Sequence, residues 1–233
     1  MKLQVYEIRM KLYMLKELPL KDTQSAITAL LDQGFAKNEA LLELHKATYP
    51  KGYCFDLPFK CESNYIYEAG KIYTLTIRTV RPELARYFTE IAVNEHTREI
   101  KALTAEVRIL PKKVITSLYT LTPVIIKNPG KGYWKTFMPE EEYEERIRVN
   151  LIKKWNYFTD QKIKEDFSLY TLFRFLNEGP IKTAYKNIAL LGDKIELQIS
   201  DNEMAQNLAY LALGTGLGEG GSRGFGFVNY KCF

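Results

Sequence analysis

Histidine is scarce in this chain, with only His45 and His96 among 233 residues. Cysteine is scarce too. Cys54, Cys61 and Cys232 are odd in number and form no C-x-x-C pair, so they read as reduced, ordinary residues of a cytosolic protein and supply no credible metal cluster. No stretch approaches the length and apolarity of a membrane span. The opening "MKLQVYEIRMKLYML" alternates where a signal peptide would run apolar. No sign of charge dominates: 33 Lys and Arg against 28 Asp and Glu leave +5, a mild bias toward polyanions. With 46% apolar and 26% charged residues, global disorder is excluded and a substantial core is expected.

What is present is periodicity. Tyr6, Ile8, Met10, Leu12 and Met14 alternate with Glu7, Arg9 and Lys11, a period of two that predicts a half-buried strand. Asp22 and Thr23 offer N-caps to a helix through "QSAITALLDQ", with Gly34 as its stop, and a short helix "KNEALLELHKA" follows. "GYCFDLPF" and "KIYTLTIRTV" read as strands. "RPELARYFTEIAV" reads as a helix with Pro82 in its first turn, and "REIKALTAEVRIL" as another strand. From Val124–Lys127 the order restarts with a short strand. The helix "PEEEYEERIRVNLIKKWNYF" has its acids first and lysines last, as the helix dipole favours, and reads as a solvated face. "TAYKNIALL" and "KIELQIS" flank Gly192-Asp193, a pair suited to a two-residue hairpin. A helix capped by Asp201 and a last strand in "GFGFVNYKCF" complete the round. The expected fold is α+β, with two tandem ferredoxin-like β-α-β-β-α-β domains at 1–121 and 122–233, a topology close to the RNA-recognition motif.

Glycine is concentrated at one place. "GLGEGGSRGFGFVNY", residues 216–230, holds six of the chain's 14 glycines. Gly216, Gly218 and Gly221 satisfy G-x-G-x-x-G, yet here the glycines follow a helix and precede a strand, the reverse of a dinucleotide site, and no Gly-Lys-Ser/Thr of a Walker loop follows. A helix C-cap and turn would account for some of these glycines. The whole set also suits a segment whose backbone N–H groups approach a phosphate, with Ser222 and Arg223 adding donors. Gly224 and Gly226 alternate with Phe225 and Phe227, leaving one strand face nearly bare for another backbone to lie against.

The pattern G-x-G, about five residues with a Ser near the end, G-x-G and an apolar strand resembles the C-terminal loop of a known family. It is that of the CRISPR-associated endoribonucleases that cut precursor CRISPR RNA within its repeats, CRISPR-associated protein six, of the repeat-associated mysterious protein superfamily. Gly216, Gly218, Ser222, Gly224, Gly226 and Val228 fit without a gap, and "TPVIIK" with "YWKTFMPEEEYEERIRVNLIKKW" is similar to the opening of that family's second half. The resemblance implies a catalytic histidine near the end of the first helical region and a lysine shortly after it; His45 and Lys51 occupy those places. It implies RNA binding by Gly216, Gly218, Ser222, Arg223, Gly224 and Gly226. Lys131 and Lys135, interleaved with Tyr133 and Trp134, suit an RNA backbone and a stacked base, while a solvated loop with Trp134 in the core accounts for them equally. A tyrosine that some members place before the histidine has no counterpart, and Tyr49 or Tyr53 would have to substitute.

The implied activity is cleavage of a CRISPR repeat by its own 2′-hydroxyl, leaving a 5′-hydroxyl and a 2′,3′-cyclic phosphate, with no metal and no cofactor. The alternative is a non-catalytic RNA-binding subunit of an effector complex with the same fold. CRISPR repeat RNA is the expected partner, other CRISPR-associated subunits are compatible with it, and monomer and homodimer stay open. A cytoplasmic setting with no membrane partner is expected.

Overall fold

The computed structural model describes residues 3–37, 39–46, 49–126, 132–185 and 188–233, with the backbone alone at 36, 37, 39, 40 and 45. The first strand, β1 (Tyr6–Met14), follows its alternation: Ile8, Met10, Leu12 and Met14 are completely buried in one cluster with Ile27, Leu30 and Leu31 of α1 (Leu20–Gln33). That helix starts before the expected caps. Pro19 holds the N-cap position, Asp22 sits in the first turn at the positive end of the dipole, and Thr23 returns its hydroxyl to the Pro19 carbonyl at 2.9 Å. Gly34 is the stop.

The first unit continues through α2 (Glu39–Lys46), β2 (Tyr53–Phe55), β3 (Ile72–Thr79), α3 (Pro82–Arg86), which runs on in π and 3-10 turns to Asn94, and β4 (Ile100–Ile109). Its antiparallel sheet has the order β2-β3-β1-β4. The second unit runs β5 (Ile115–Thr120), α4 (Glu140–Thr159), β6 (Tyr170–Phe175), a ribbon of β7 (Ile181–Tyr185) and β8 (Ile188–Gly192), β9 (Ile195–Ile199), α5 (Glu203–Thr215) and β10 (Val228–Cys232). Its sheet order, β10-β5-β9-β6, repeats the first. Both are the ferredoxin-like arrangement, in an α+β chain.

Several local expectations are corrected. The second sheet starts with Ile115–Thr120. Val124 and Ile125 make only isolated bridges, to Asp193 and Glu219, because Pro123 interrupts the ladder and these apolar side chains serve the core. The chain thus passes from the first sheet to the second between Ile109 and Ile115. Gly192-Asp193 is no hairpin turn, since β8 and β9 lie in different sheets. A Cβ at Gly192 would stand 2.3 Å from the Val124 carbonyl oxygen, so glycine serves a close backbone approach there. Besides β5, β9 pairs with β6, a strand unforeseen in the sequence. Asn202, one residue past Asp201, caps α5 by accepting from the Ala205 N–H at 2.9 Å.

The two units meet across α5, which is buried on nearly every side and packs against β2 and β3 of one sheet and β5, β9 and β10 of the other. A helix apolar all round belongs between two layers. Tyr210 on α5 donates to the Leu110 carbonyl at 2.6 Å and accepts from the Val5 N–H at 3.1 Å. Buried Arg78 on β3 pairs with buried Glu7 at 2.9 Å, donates to the Val228 carbonyl at 2.8 Å and lies 4.8 Å from the Phe227 ring centroid. Removing one member of such a pair strands the other charge in the interior, so this joint resists substitution. Among the described residues no helix is long and apolar enough to cross a membrane.

Candidate functional site

The glycine loop leaves α5 at Gly216 and returns as β10. Most of its glycines face the protein itself. Gly216, Gly218, Gly224 and Gly226 are buried, and the bare strand face expected at Gly224 and Gly226 is already covered. A Cβ at Gly226 would lie 2.0 Å from the Leu217 carbonyl oxygen, and its φ of +63° is one that side chains rarely adopt. Leu217 N–H donates to Gly226 at 2.8 Å and Gly226 N–H to Pro123 at 2.9 Å, so the two arms of the loop close on each other.

Only the tip, residues 219–223, reaches the surface. Gly221–Arg223 form one 3-10 turn between two left-handed glycines, Gly220 and Gly224. Among the described residues the N–H groups of Gly220, Gly221 and Ser222 have no acceptor. Consecutive free amides on a turn with left-handed residues form an anion-binding concavity. The tip is anchored from both units. Gln24 of α1 donates to the Arg223 carbonyl at 2.9 Å, and the Arg223 guanidinium donates to the Tyr185 hydroxyl of β7 and lies over that ring.

Lys154 of α4 secures the loop from below. It is 6% exposed and donates to the carbonyls of Gly216 and Gly218, both at 2.8 Å, satisfying acceptors at the end of α5. Burial pushes its ammonium down to about 8, a shift partly opposed by Cys54 and Glu219. The solvated face expected for this helix is thus interrupted by a buried cation. A helical signal for it exists: Tyr143, Ile147 and Leu151 are buried at four-residue spacing, and Lys154 continues that stripe.

The facing wall is the segment from Tyr49 to Tyr53 in the first unit. Lys51 Nζ donates to the Leu44 carbonyl of α2 at 2.5 Å, one residue before His45. Burial lowers the Lys51 pKa, and the nearby Arg223 charge lowers it further. Lys51, Lys154 and the loop tip line an open cleft of about 390 Å³ between the two units. A small adjoining cavity of about 20 Å³ is lined by Asp32, Leu44, Lys51, Tyr53, Ser222 and Arg223. Among the described residues no three His, Cys, Asp or Glu side chains gather as a metal-ligand set.

The structure brings Lys51, Ser222 and Arg223 together from distant parts of the chain. His45 lies in α2, but its side chain is outside what the structure describes, as is all of Lys131. Lys135 is exposed, lies 5.3 Å from the Trp134 ring centroid and 4.9 Å from that of Phe175, and is absent from the cleft wall. Trp134 is a core residue whose indole N–H donates to buried Asp193 at 2.6 Å. Tyr53 is buried, with its phenol pushed well above its ordinary pKa, whereas Tyr49 is exposed at the cleft. His96 sits on the surface in the turn before β4. Gln24, Lys154 and Tyr185 were not legible as site residues.

Fold and site define a tandem ferredoxin-like protein with a cationic cleft between its units. Residues 106–230, more than half of the chain, match the family described as CRISPR associated protein Cas6, C-terminal. The chain belongs to the CRISPR associated protein Cas6 family. Among solved structures, one described as an RAMP protein binding different RNA substrates superposes with a TM-score of 0.72 at 20% identity, over 97% of this chain and 99% of that one. A Cas6-related protein from Pyrococcus furiosus gives 0.69 at 17% identity, over 97% and 98%. Cas6 from Thermus thermophilus gives 0.55 at 15%, over 99% and 100%. At these identities the likeness carries the fold. No curated protein matches the sequence.

Proposed function

We propose that this protein binds CRISPR repeat RNA in the cleft between its two units and cuts it there. RNA supplies its own nucleophile. The 2′-oxygen attacks the adjacent phosphorus, its proton leaves, the P–O5′ bond breaks and the departing 5′-oxygen receives a proton. The products are a 2′,3′-cyclic phosphate and a 5′-hydroxyl, with no water consumed and no metal required. His45 is assigned the proton transfer, since imidazole titrates nearest neutrality. Lys51 is assigned the charge that builds on the phosphorane oxygens. Ser222, Arg223 and the amides of Gly220 and Gly221 hold the backbone, while Gly216, Gly218, Gly224 and Gly226 shape the loop that presents them.

The observation that carries this reading is the meeting of Lys51 with Ser222 and Arg223 on one cleft, between units that both pack on α5. Support comes from the similar structures, which include Cas6 proteins solved as a substrate mimic complex and as a product complex, and one with a histidine replaced by alanine. The test is incubation of 5′-labelled repeat RNA with the protein in EDTA. One cut bearing a cyclic phosphate supports the proposal. RNA that stays intact while fully bound overturns the enzymatic part and leaves the second reading, a non-catalytic RNA-binding subunit. That reading is favoured by one detail, the Lys51 ammonium already engaged by the Leu44 carbonyl.

A further inference from the structure

The cleft has an aromatic margin. Tyr49 and Tyr157 stack with ring centroids 5.1 Å apart and planes 27° from parallel. They come from different units, Tyr49 from the segment after α2 and Tyr157 from the last turn of α4. A clasp between domains would be expected to bury its rings, yet these residues remain 41% and 42% exposed. Single exposed tyrosines need no explanation, but a preformed stack exposed beside a cationic cleft does.

The pair is held from behind. Arg81 donates to the Tyr157 hydroxyl at 3.2 Å, and its guanidinium carbon lies 5.9 Å from the Tyr157 centroid and 5.3 Å from that of Phe158. On the cleft side, Lys51 Nζ is 5.9 Å from the Tyr49 centroid. The cation assigned to the reacting phosphate therefore stands next to the ring of the same platform. Rigid aromatic faces beside backbone-binding cations are the combination that holds single-stranded nucleic acid, and they do so whatever the base, because every base has a π-face.

Resting on the RNA-cleft reading above, we propose that Tyr49 and Tyr157 form a stacking platform for one unpaired nucleobase beside the phosphate held by Lys51 and Arg223. The platform selects for strandedness. A base already stacked within a duplex has no free face to offer, so the nucleotide next to the cut has to be single-stranded when bound.

The test uses repeat RNA carrying 2-aminopurine at successive positions, with fluorescence quenching reporting stacking, and the same RNA with an abasic site at each position. In the wild-type protein one position is expected to be quenched strongly, and an abasic site there weakens binding about 5- to 100-fold. Tyr157→Ala removes the quenching and becomes indifferent to that abasic site, whereas Tyr157→Phe, which keeps the ring, retains both effects. Tyr49→Ala probes the platform from the other unit, and thermal melts confirm that each variant folds. Tight binding with a flat quenching scan, or Tyr157→Ala and abasic losses that simply add, overturns the platform. A wild-type protein that binds no repeat RNA at all overturns the cleft reading itself, which sets that failure apart.

Discussion

In the first unit, the connection from helix to second strand reaches the cleft with side chains, Tyr49 and Lys51. In the second, the connection from α5 to the last strand reaches it with backbone, the turn at Gly220–Arg223. The two sheets have the same strand order, so topology alone does not separate these roles. The difference lies in which connection α5 carries to the interface. That helix packs on both sheets, with the buried Cys54 thiol of β2 donating to its Leu213 carbonyl at 3.6 Å, and the loop it releases runs past β2 at once. A Cβ on Gly221 would stand 3.2 Å from the Tyr53 carbonyl oxygen. A repeated fold thus yields one composite cleft: the first unit lines it with side chains, and the second adds a shaped main chain together with the Lys154, Ser222 and Arg223 side chains.

The division of labour can be broken from either side, starting with the largest expected effect. His45→Ala is expected to slow cleavage by about 10²–10⁴-fold while repeat RNA affinity is kept, as read by single-turnover cleavage alongside filter binding. Retention of full cleavage would remove His45 from the chemistry. Gly226→Ala introduces a side chain into a gap of 2.0 Å at positive φ and is expected to cost on the order of 3 kcal/mol by denaturant unfolding. Gly70→Ala, also at positive φ but in an open turn of the first unit, is expected to cost about 1 kcal/mol. Equal losses would mean that the loop is no more constrained than an ordinary turn.

Lys154 sharpens the contrast through pH. Its folded pKa, about 8, lies below the ordinary 10.5, so between those values the unfolded chain binds the extra proton and stability rises with pH. Relative to Lys154→Met, the wild type should gain stability as pH climbs from 8 to 10.5, by on the order of 3 kcal/mol. Melting curves of the two proteins that run parallel across that window would place the ammonium in water. A smaller effect than that of Lys154 is expected from Arg223→Glu. It should weaken RNA binding roughly tenfold and reduce the log-log salt slope by about one, measured by titration at several ionic strengths.

Much of this organisation was legible in the chain. The period of two in Tyr6–Met14, the Pro82 helix start and the glycine spacing at 216–226 each report a local rule, and each appears where those rules place it. The misreadings share a cause. Val124–Ile126 is as apolar as a strand because it fills the core, and Thr122-Pro123 is what stops it from pairing. Tyr170–Phe175 alternates weakly because several of its apolar side chains stay partly exposed on an edge strand. Lys154 continues the buried stripe of Tyr143, Ile147 and Leu151, yet a lysine next to a lysine reads as a surface residue unless its acceptors are known.

By itself, then, the amino-acid order settled what depends on near neighbours: the helix and strand periods, the family-like glycine string, and which residue types could move a proton or hold a phosphate. Tertiary structure alone decided what depends on distance along the chain. Lys51 meets Arg223, Lys154 meets the end of α5, and Tyr49 meets Tyr157 only because one largely buried helix draws two sheets onto its opposite sides, and no local pattern encodes which distant residues share that contact.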